Sequence, residues 1–223
     1  MAFTSLFKRR HTSKVLSSVL LEGCIGDDDL ADLVAAASWA PFHYTASANH
    51  RAQLADGAPE PWRFYILDRN ACRELRTWLL ESEDMSKVPD MLAGASALVQ
   101  VTWCPNPAPE SSAIPEGADY YPSDINLEHI AATAAAIQNL LLCATDKGIP
   151  SYWSSGGPLR SDAAFDRIGI PRDQVLLGSV FLFPEDVANV ADGDRVKIVP
   201  GKMRDKRSAG QSWCQRITTL PGD

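Results

Sequence analysis

The chain has 223 residues, 45% hydrophobic and 22% charged, with a formal net charge of −7. That composition excludes disordered, collagen-like and coiled-coil classes, and the length suits one domain with an ample core. The acidic balance argues against a general nucleic-acid surface. The charge is unevenly placed, however. Residues 1–14 hold Lys8, Arg9, Arg10 and Lys14 and no acid, and residues 195–216 hold seven basic residues against Asp205 alone. Ten basic and 26 acidic residues are left for the body, 15–194.

The opening, residues 1–21, is rich in Arg, Lys, Ser and Thr and suits an amphipathic helix; a mitochondrial transit peptide shares that composition. Asp27, Asp28 and Asp29 read as a cap and first turn, with Leu30, Leu33, Val34 and Ala37 following at helical spacing up to Pro41. Residues 42–61 read as a long polar connection. Trp62 to Leu67 reads as a strand, Asn70 to Leu80 as a helix, and Ala97 to Trp103 as an internal strand. Five prolines exclude regular structure from 105–122. Asp124 to Lys147 is a helix apolar nearly all round, which must be buried against several neighbours or a second subunit. A strand from Ser151 runs into a glycine turn, Ser161 caps a short helix to Ile168, and Gln174 to Phe183 is a buried strand. Strands and helices alternate in one α+β or α/β domain spanning 1–223, with loop insertions at 42–60 and 105–123 and a basic extension at 200–223.

No apolar run approaches the roughly 20 residues of a bilayer span, and no secretory core follows the N-terminal basic residues. The five cysteines are scattered and odd in number, and the four histidines form no metal-binding spacing. No metal or membrane partner is therefore expected, and the compartment is read as reducing: cytoplasmic, with a mitochondrion or another organelle left open.

Four constellations remain. Arg9-Arg10-His11-Thr12-Ser13-Lys14 packs guanidinium, ammonium and hydroxyl donors as a phosphate requires. Asn49-His50-Arg51 stands ahead of Pro61-Trp62-Arg63-Phe64, at the edge of a sheet. Gly148-Ile149-Pro150-Ser151-Tyr152-Trp153-Ser154-Ser155-Gly156-Gly157 lets a planar ring approach the backbone. Lys202-Met203-Arg204-Asp205-Lys206-Arg207 is a basic tail. Each has an ordinary reading too: a solvated basic face, a polar loop, a core tryptophan, a solvated tail.

Taken in this order, the four resemble the FMN-dependent nitroreductase family. RRHTSK is similar to its first phosphate-gripping element, which lies on the first helix; AP…NHR…PEPWRF to its second; and NLEHIAATAAAIQNLLLCATDKGIPSYWSSG to its long central helix and flavin-side turn. GIPRDQVLLGSVFLFPE and KRSAGQSW resemble its later strand and C-terminal segment. The resemblance implies an α+β nitroreductase-like fold, with a central mixed or antiparallel sheet flanked by helices in an entwined homodimer. It implies FMN as cofactor and NAD(P)H as electron donor. Arg9, Arg10, His11, Thr12 and Lys14 then match phosphate and ribityl contacts, Asn49 and His50 a flavin contact, and Trp153, Ser154, Ser155 and Gly156 the turn beside the ring. Lys206 or Arg207 matches the C-terminal phosphate contact, with Lys202 and Arg204 as rivals. The segments around Asn49-His50-Arg51 exceed the family pattern, so Phe42, His43 and Tyr44, with Tyr120 and Tyr121 from the proline-rich stretch, are the expected substrate contacts. No side chain is needed as nucleophile, because the flavin carries the chemistry. The implied activity is hydride transfer from NAD(P)H to flavin, then to a nitroaromatic, quinone or conjugated carbonyl. The alternatives are a flavin-sequestering or flavin-consuming relative, and a basic-ended interaction protein.

Overall fold

The computed structural model describes residues 3–203, 206 and 213–218. Arg204 and Arg207, two of the expected phosphate contacts, lie outside them.

The framework is an antiparallel sheet of β2 (Trp62–Asp68), β3 (Ala97–Trp103), β5 (Val175–Leu182) and β4 (Ser151–Ser154), adjacent in that order. Every pairing in it is antiparallel. β3 is flanked by strands on both sides and covered on both faces, so all seven of its residues are buried. Alternation then assigns the faces. Val99, Val101, Val180 and Leu182 pack with Ala136, Ile137 and Leu140 of helix α6 (Asp124–Asp146) and with Leu33 and Ala37 of α2 (Asp27–Ser38). Leu98 and Phe181 face the other way, onto Leu75 and Leu79 of α4 (Arg69–Glu81) and Met91 and Leu92 of α5 (Val88–Gly94). The result is helix, sheet, helix.

Helix α6 is the axis of the molecule. Ser123 caps it by accepting from the Asn126 amide at 3.2 Å, and Gly148 leaves it with φ of 76°. Lys147, at its end, reaches Asp29 and Asp32 at 2.7 Å each, which pins α6 to α2. Among the described residues it is the one helix long and apolar enough to cross a membrane. Here its Ala132, Ala136, Ile137 and Leu140 side builds the core instead.

The opening differs from the expected single helix. Helix α1 (Phe3–Arg9) stops at Arg9, and Ser13–Ser17 is a strand, β1. It pairs antiparallel with β6 (Val196–Pro200), Ser13 opposite Pro200. Ser13, Val15 and Ser17 are buried while Lys14 and Leu16 alternate outward, a period of two that five residues scarcely reveal. The cap of α2 is Gly26, not an aspartate, and Asp27 to Asp29 fill the first turn. The 42–61 connection contains a short helix, α3 (Ala48–Ala52). Ser161 caps α7 (Asp162–Ile168) as expected, accepting from the Ala164 amide. The remaining short helix, α8 (Val187–Val190), follows the sheet.

Candidate functional site

A cleft of about 450 Å3 opens where α1, α6 and β4 meet. Arg10 and Thr12 line it from the loop after α1, Gln138 and Leu141 from α6, Ser151 and Trp153 from β4, and Phe7 from α1. Residues 141 positions apart in sequence are thus brought to one opening by the α1–α6 contact and by β4 forming the edge of the sheet. Trp153 is 36% exposed and stands over Gly178 of β5. A Cβ on Gly178 would collide with the indole nitrogen, lie 2.7 Å from its Cδ1 and 2.9 Å from the Ser154 carbonyl oxygen. Glycine at 178 is therefore what lets the indole lie against the strand.

The turn after Trp153 is tightly held. Ser154 is buried, and its hydroxyl accepts from the Gly156 amide at 3.2 Å. Gly156 has φ of 103°, and a Cβ there would meet Leu176 at 2.7 Å. Arg160 donates to the carbonyls of Ser155 and Leu177, clasping the turn to β5. Ser155 itself is exposed.

Cations surround this opening unequally. Arg9 is turned to Asp146 at 3.0 Å, so it ties α1 to the end of α6. The His11 ring folds back on the Arg9 carbonyl at 2.7 Å. Lys14 lies over the Tyr152 ring, 5.4 Å from its centroid. Partial burial, then the charges of Lys87 and Lys202, hold the Lys14 pKa below the ordinary lysine value. Gly201 packs on Thr12, with its Cβ position 3.1 Å from the threonine Cβ, so the chain entering Lys202 runs beside the cleft. Lys206 is exposed and does not line the cleft.

The second constellation is elsewhere. His50 is 5% exposed, and both ring nitrogens are engaged. Nε2 lies 3.1 Å from the Asp173 carbonyl oxygen, an acceptor, so Nε2 donates; Nδ1 then accepts from the Ser47 hydroxyl at 2.9 Å. Gln53 donates to the Asp173 carboxylate at 2.7 Å, and Arg63 donates to the carbonyls of His50, Glu60 and Trp62. The knot sits at the Trp62–Trp103–Val175 end of the sheet, whereas Ser151 pairs with Leu182 at the other. His50 does not line the cleft, and Asn49 is exposed beside it.

The expected substrate residues lie along α6, toward its start. Phe42 packs edge-on against Trp62, with centroids 5.5 Å apart; His43 meets Glu128 at 3.1 Å; Tyr44 is exposed. A groove of about 260 Å3 separates Phe42 and His43 from Ala131 and Ala135. Tyr120 stands edge-on to Trp103 at 4.8 Å, and the Tyr121 carbonyl accepts from Asn126 at 2.8 Å. From Ala131 to Gln138 a helix rises about 10 Å, so these residues and the cleft occupy different stretches of α6. Ser151 belongs to the third constellation; Gln138 belongs to the cleft but to none of the four, and a polar residue inside an apolar helix was its signal.

The profile of the Nitroreductase family matches residues 21–182. The chain belongs to the nitroreductase family. Both basic ends lie outside the matched stretch. The fold is similar to that of a nitroreductase-like protein from Bacillus cereus, with a TM-score of 0.61, 20% identity and coverage of 95% of this chain and 97% of that one. A nitroreductase from Desulfovibrio desulfuricans, solved in complex with FMN, aligns with a TM-score of 0.52 at 14% identity, over 82% of this chain and 85% of that one. A nitroreductase with bound FMN from Bacteroides fragilis aligns with a TM-score of 0.50 at 18% identity, over 82% and 88%. None of the curated proteins matches. This nitroreductase-family chain thus has an α+β fold whose sheet is antiparallel.

Proposed function

We propose that this chain is an FMN-dependent oxidoreductase that takes hydride from NAD(P)H and passes electrons, in a ping-pong cycle, to a small nitroaromatic, quinone or conjugated carbonyl. The single observation that carries the reading is the cleft, where Arg10 and Thr12 from the opening segment meet Trp153 from β4.

The donor set fits the cofactor. Arg10 supplies a guanidinium fork and Thr12 a hydroxyl, the groups a phosphate dianion needs. Lys14 adds a cation that, among the described residues, is in no ion pair. The turn at Gly156, where a Cβ would meet Leu176, is packed directly against β5 beside Trp153. When bound, the flavin supplies the two-electron chemistry, and the protein supplies binding, orientation and field. Trp153 and the clasped turn would hold the ring, Arg10 and Thr12 would hold the phosphate, and Lys14 would favour negative charge on the bound cofactor.

A second copy of the chain completes the reading. Trp39 is 85% exposed and Leu127 66% exposed, with Ala131 uncovered beside them on α6. An apolar strip of this kind is covered in a homodimer.

The test is the visible spectrum of protein purified without added cofactor. It should be yellow, should release FMN on denaturation, and should oxidise NAD(P)H when a quinone is present. Colourless protein that FMN cannot reconstitute would sink the reading. Bound FMN that NAD(P)H fails to reduce would select a flavin-sequestering protein instead.

A further inference from the structure

One row of the sheet is polar where its interior should be apolar. Paired residues of an antiparallel ladder share a face, so the face turned to α4 and α5 reads as rows across the four strands. Leu67, Leu98, Phe181 and Tyr152 form one of them. The next is Tyr65, Gln100, Ser179 and Ser154, with a polar group on every strand. Gln100 and Ser179 are fully buried, and Ser154 nearly so.

Buried polar groups need partners. The Tyr65 hydroxyl does not serve Gln100: it donates to Gln174 Oε1 at 2.9 Å, as the Thr102 hydroxyl does at 2.6 Å. Gln100 Oε1 accepts from the Ser179 hydroxyl. Gln100 Nε2 is buried and has no partner among the described residues. An orphaned buried donor costs stability, and an apolar side chain of the same length would fill the space without that cost. Stability therefore does not explain a glutamine at this position.

What Gln100 holds lies on the neighbouring strand. Ser179 has one hydroxyl proton, and Gln100 takes it. That fixes the serine oxygen against the glycine turn, because a Cβ on Gly156 would lie 3.3 Å from Ser179 Oγ. Ser154, opposite Ser179 in the ladder, accepts from the Gly156 amide at 3.2 Å. The turn beside Trp153 thus sits on two hydroxyls, and Gln100 locks one of them from inside the sheet.

We propose that Gln100 is a positioning residue of the cleft: through Ser179 it fixes the Gly156 turn, and with it the surface that a bound flavin ring meets. The proposal rests on the FMN reading above. Gln100 does not line the cleft and takes no part in the chemistry. Its work is to keep the turn in one place, as a site needs from the groups behind it.

The experiment compares the wild type with Gln100→Met, Ser179→Ala and the double variant. Each is read by melting temperature, by FMN and riboflavin affinity per folded molecule, and by the visible circular dichroism of the bound flavin. Gln100→Met removes the orphaned donor, so its melting temperature should hold or rise. Its FMN affinity should nevertheless fall roughly fivefold, what one net hydrogen bond is worth. Riboflavin affinity should fall by the same factor, since the turn serves the ring and not the phosphate, and the visible dichroism should change. Ser179→Ala should reproduce these losses, and the double variant should add nothing to them, because both cut one link. Wild-type affinity and dichroism in either single variant overturn the proposal, whatever the melting temperature does. So do losses that add in the double variant. Wild-type protein that binds no FMN overturns the functional reading, and the proposal with it.

Discussion

The His50 knot and the Arg10 cleft contain similar chemistry in opposite conditions. In the knot a buried histidine and a buried arginine meet a glutamine and a carboxylate at the surface, and each finds a partner within the protein. Around the cleft, guanidinium, ammonium and hydroxyl groups gather at an opening beside a half-exposed tryptophan, and the charges of Lys87 and Lys202 act on Lys14. A polar group satisfied inside the fold is part of its structure. Cations gathered at an opening, where a ligand can reach them, are arranged for something that binds. Both regions look alike as strings of polar residues, and only the partners tell them apart.

That contrast can be broken most directly by removing charge from the cleft. Arg10→Ala combined with Lys14→Ala deletes two charge-assisted contacts, each worth about 1.5–3 kcal/mol. FMN affinity, read by quenching of flavin fluorescence, should fall by about 100-fold or more, while circular dichroism stays native. Unchanged retention would show that the phosphate is held elsewhere. A smaller effect is expected from Gly178→Ala, which drives a methyl group into the Trp153 indole. Overpacking costs about 1–3 kcal/mol, so the melting temperature should drop and FMN occupancy with it. Loss of stability at full occupancy would remove Trp153 from the site.

His50→Ala tests the other half. It strands the Ser47 hydroxyl and the Asp173 carbonyl at a cost of about 1–3 kcal/mol, and FMN affinity per folded molecule should not change. An affinity loss matching that of the cleft variant would return His50 to the cofactor.

The smallest effect sharpens the picture by a chemical probe. Cys104 is fully buried near the knot, with Arg63 and Asp173 as its charged neighbours, and burial pushes its thiol up to about 11. It should resist alkylation at pH 8 while the exposed Cys24 reacts at once. His50→Ala should speed labelling of Cys104, read by mass spectrometry, whereas the cleft variant should not. Because the folded thiol keeps its proton longer than the unfolded one, stability should decline as pH rises from about 8.5 toward 11.

Local patterns carried much of the fold. β3 was legible as a mostly apolar run, α6 by its length and alanine content, and α7 by Ser161, because each signal lies within a few neighbouring residues. β1 was read as helix because five residues of SKVLS hold too little alternation to oppose the amphipathic opening. α5 was missed because Pro89 reads as a breaker, although it falls in the first turn, where a missing N–H costs nothing. For the site, Arg10, Thr12, Lys14 and Trp153 were nameable from motifs. Gln100 behind them was not, since within ALVQVTW it reads only as a break in an apolar strand.

Periodicity, capping residues and glycine positions act over a handful of residues, so the chain carries its helices, its buried strands and its basic ends on its face. Which of its polar groups satisfy one another is a matter of distances between segments more than a hundred residues apart. Packing settles that, and it sealed His50 against Asp173 while leaving Lys14 at an open edge.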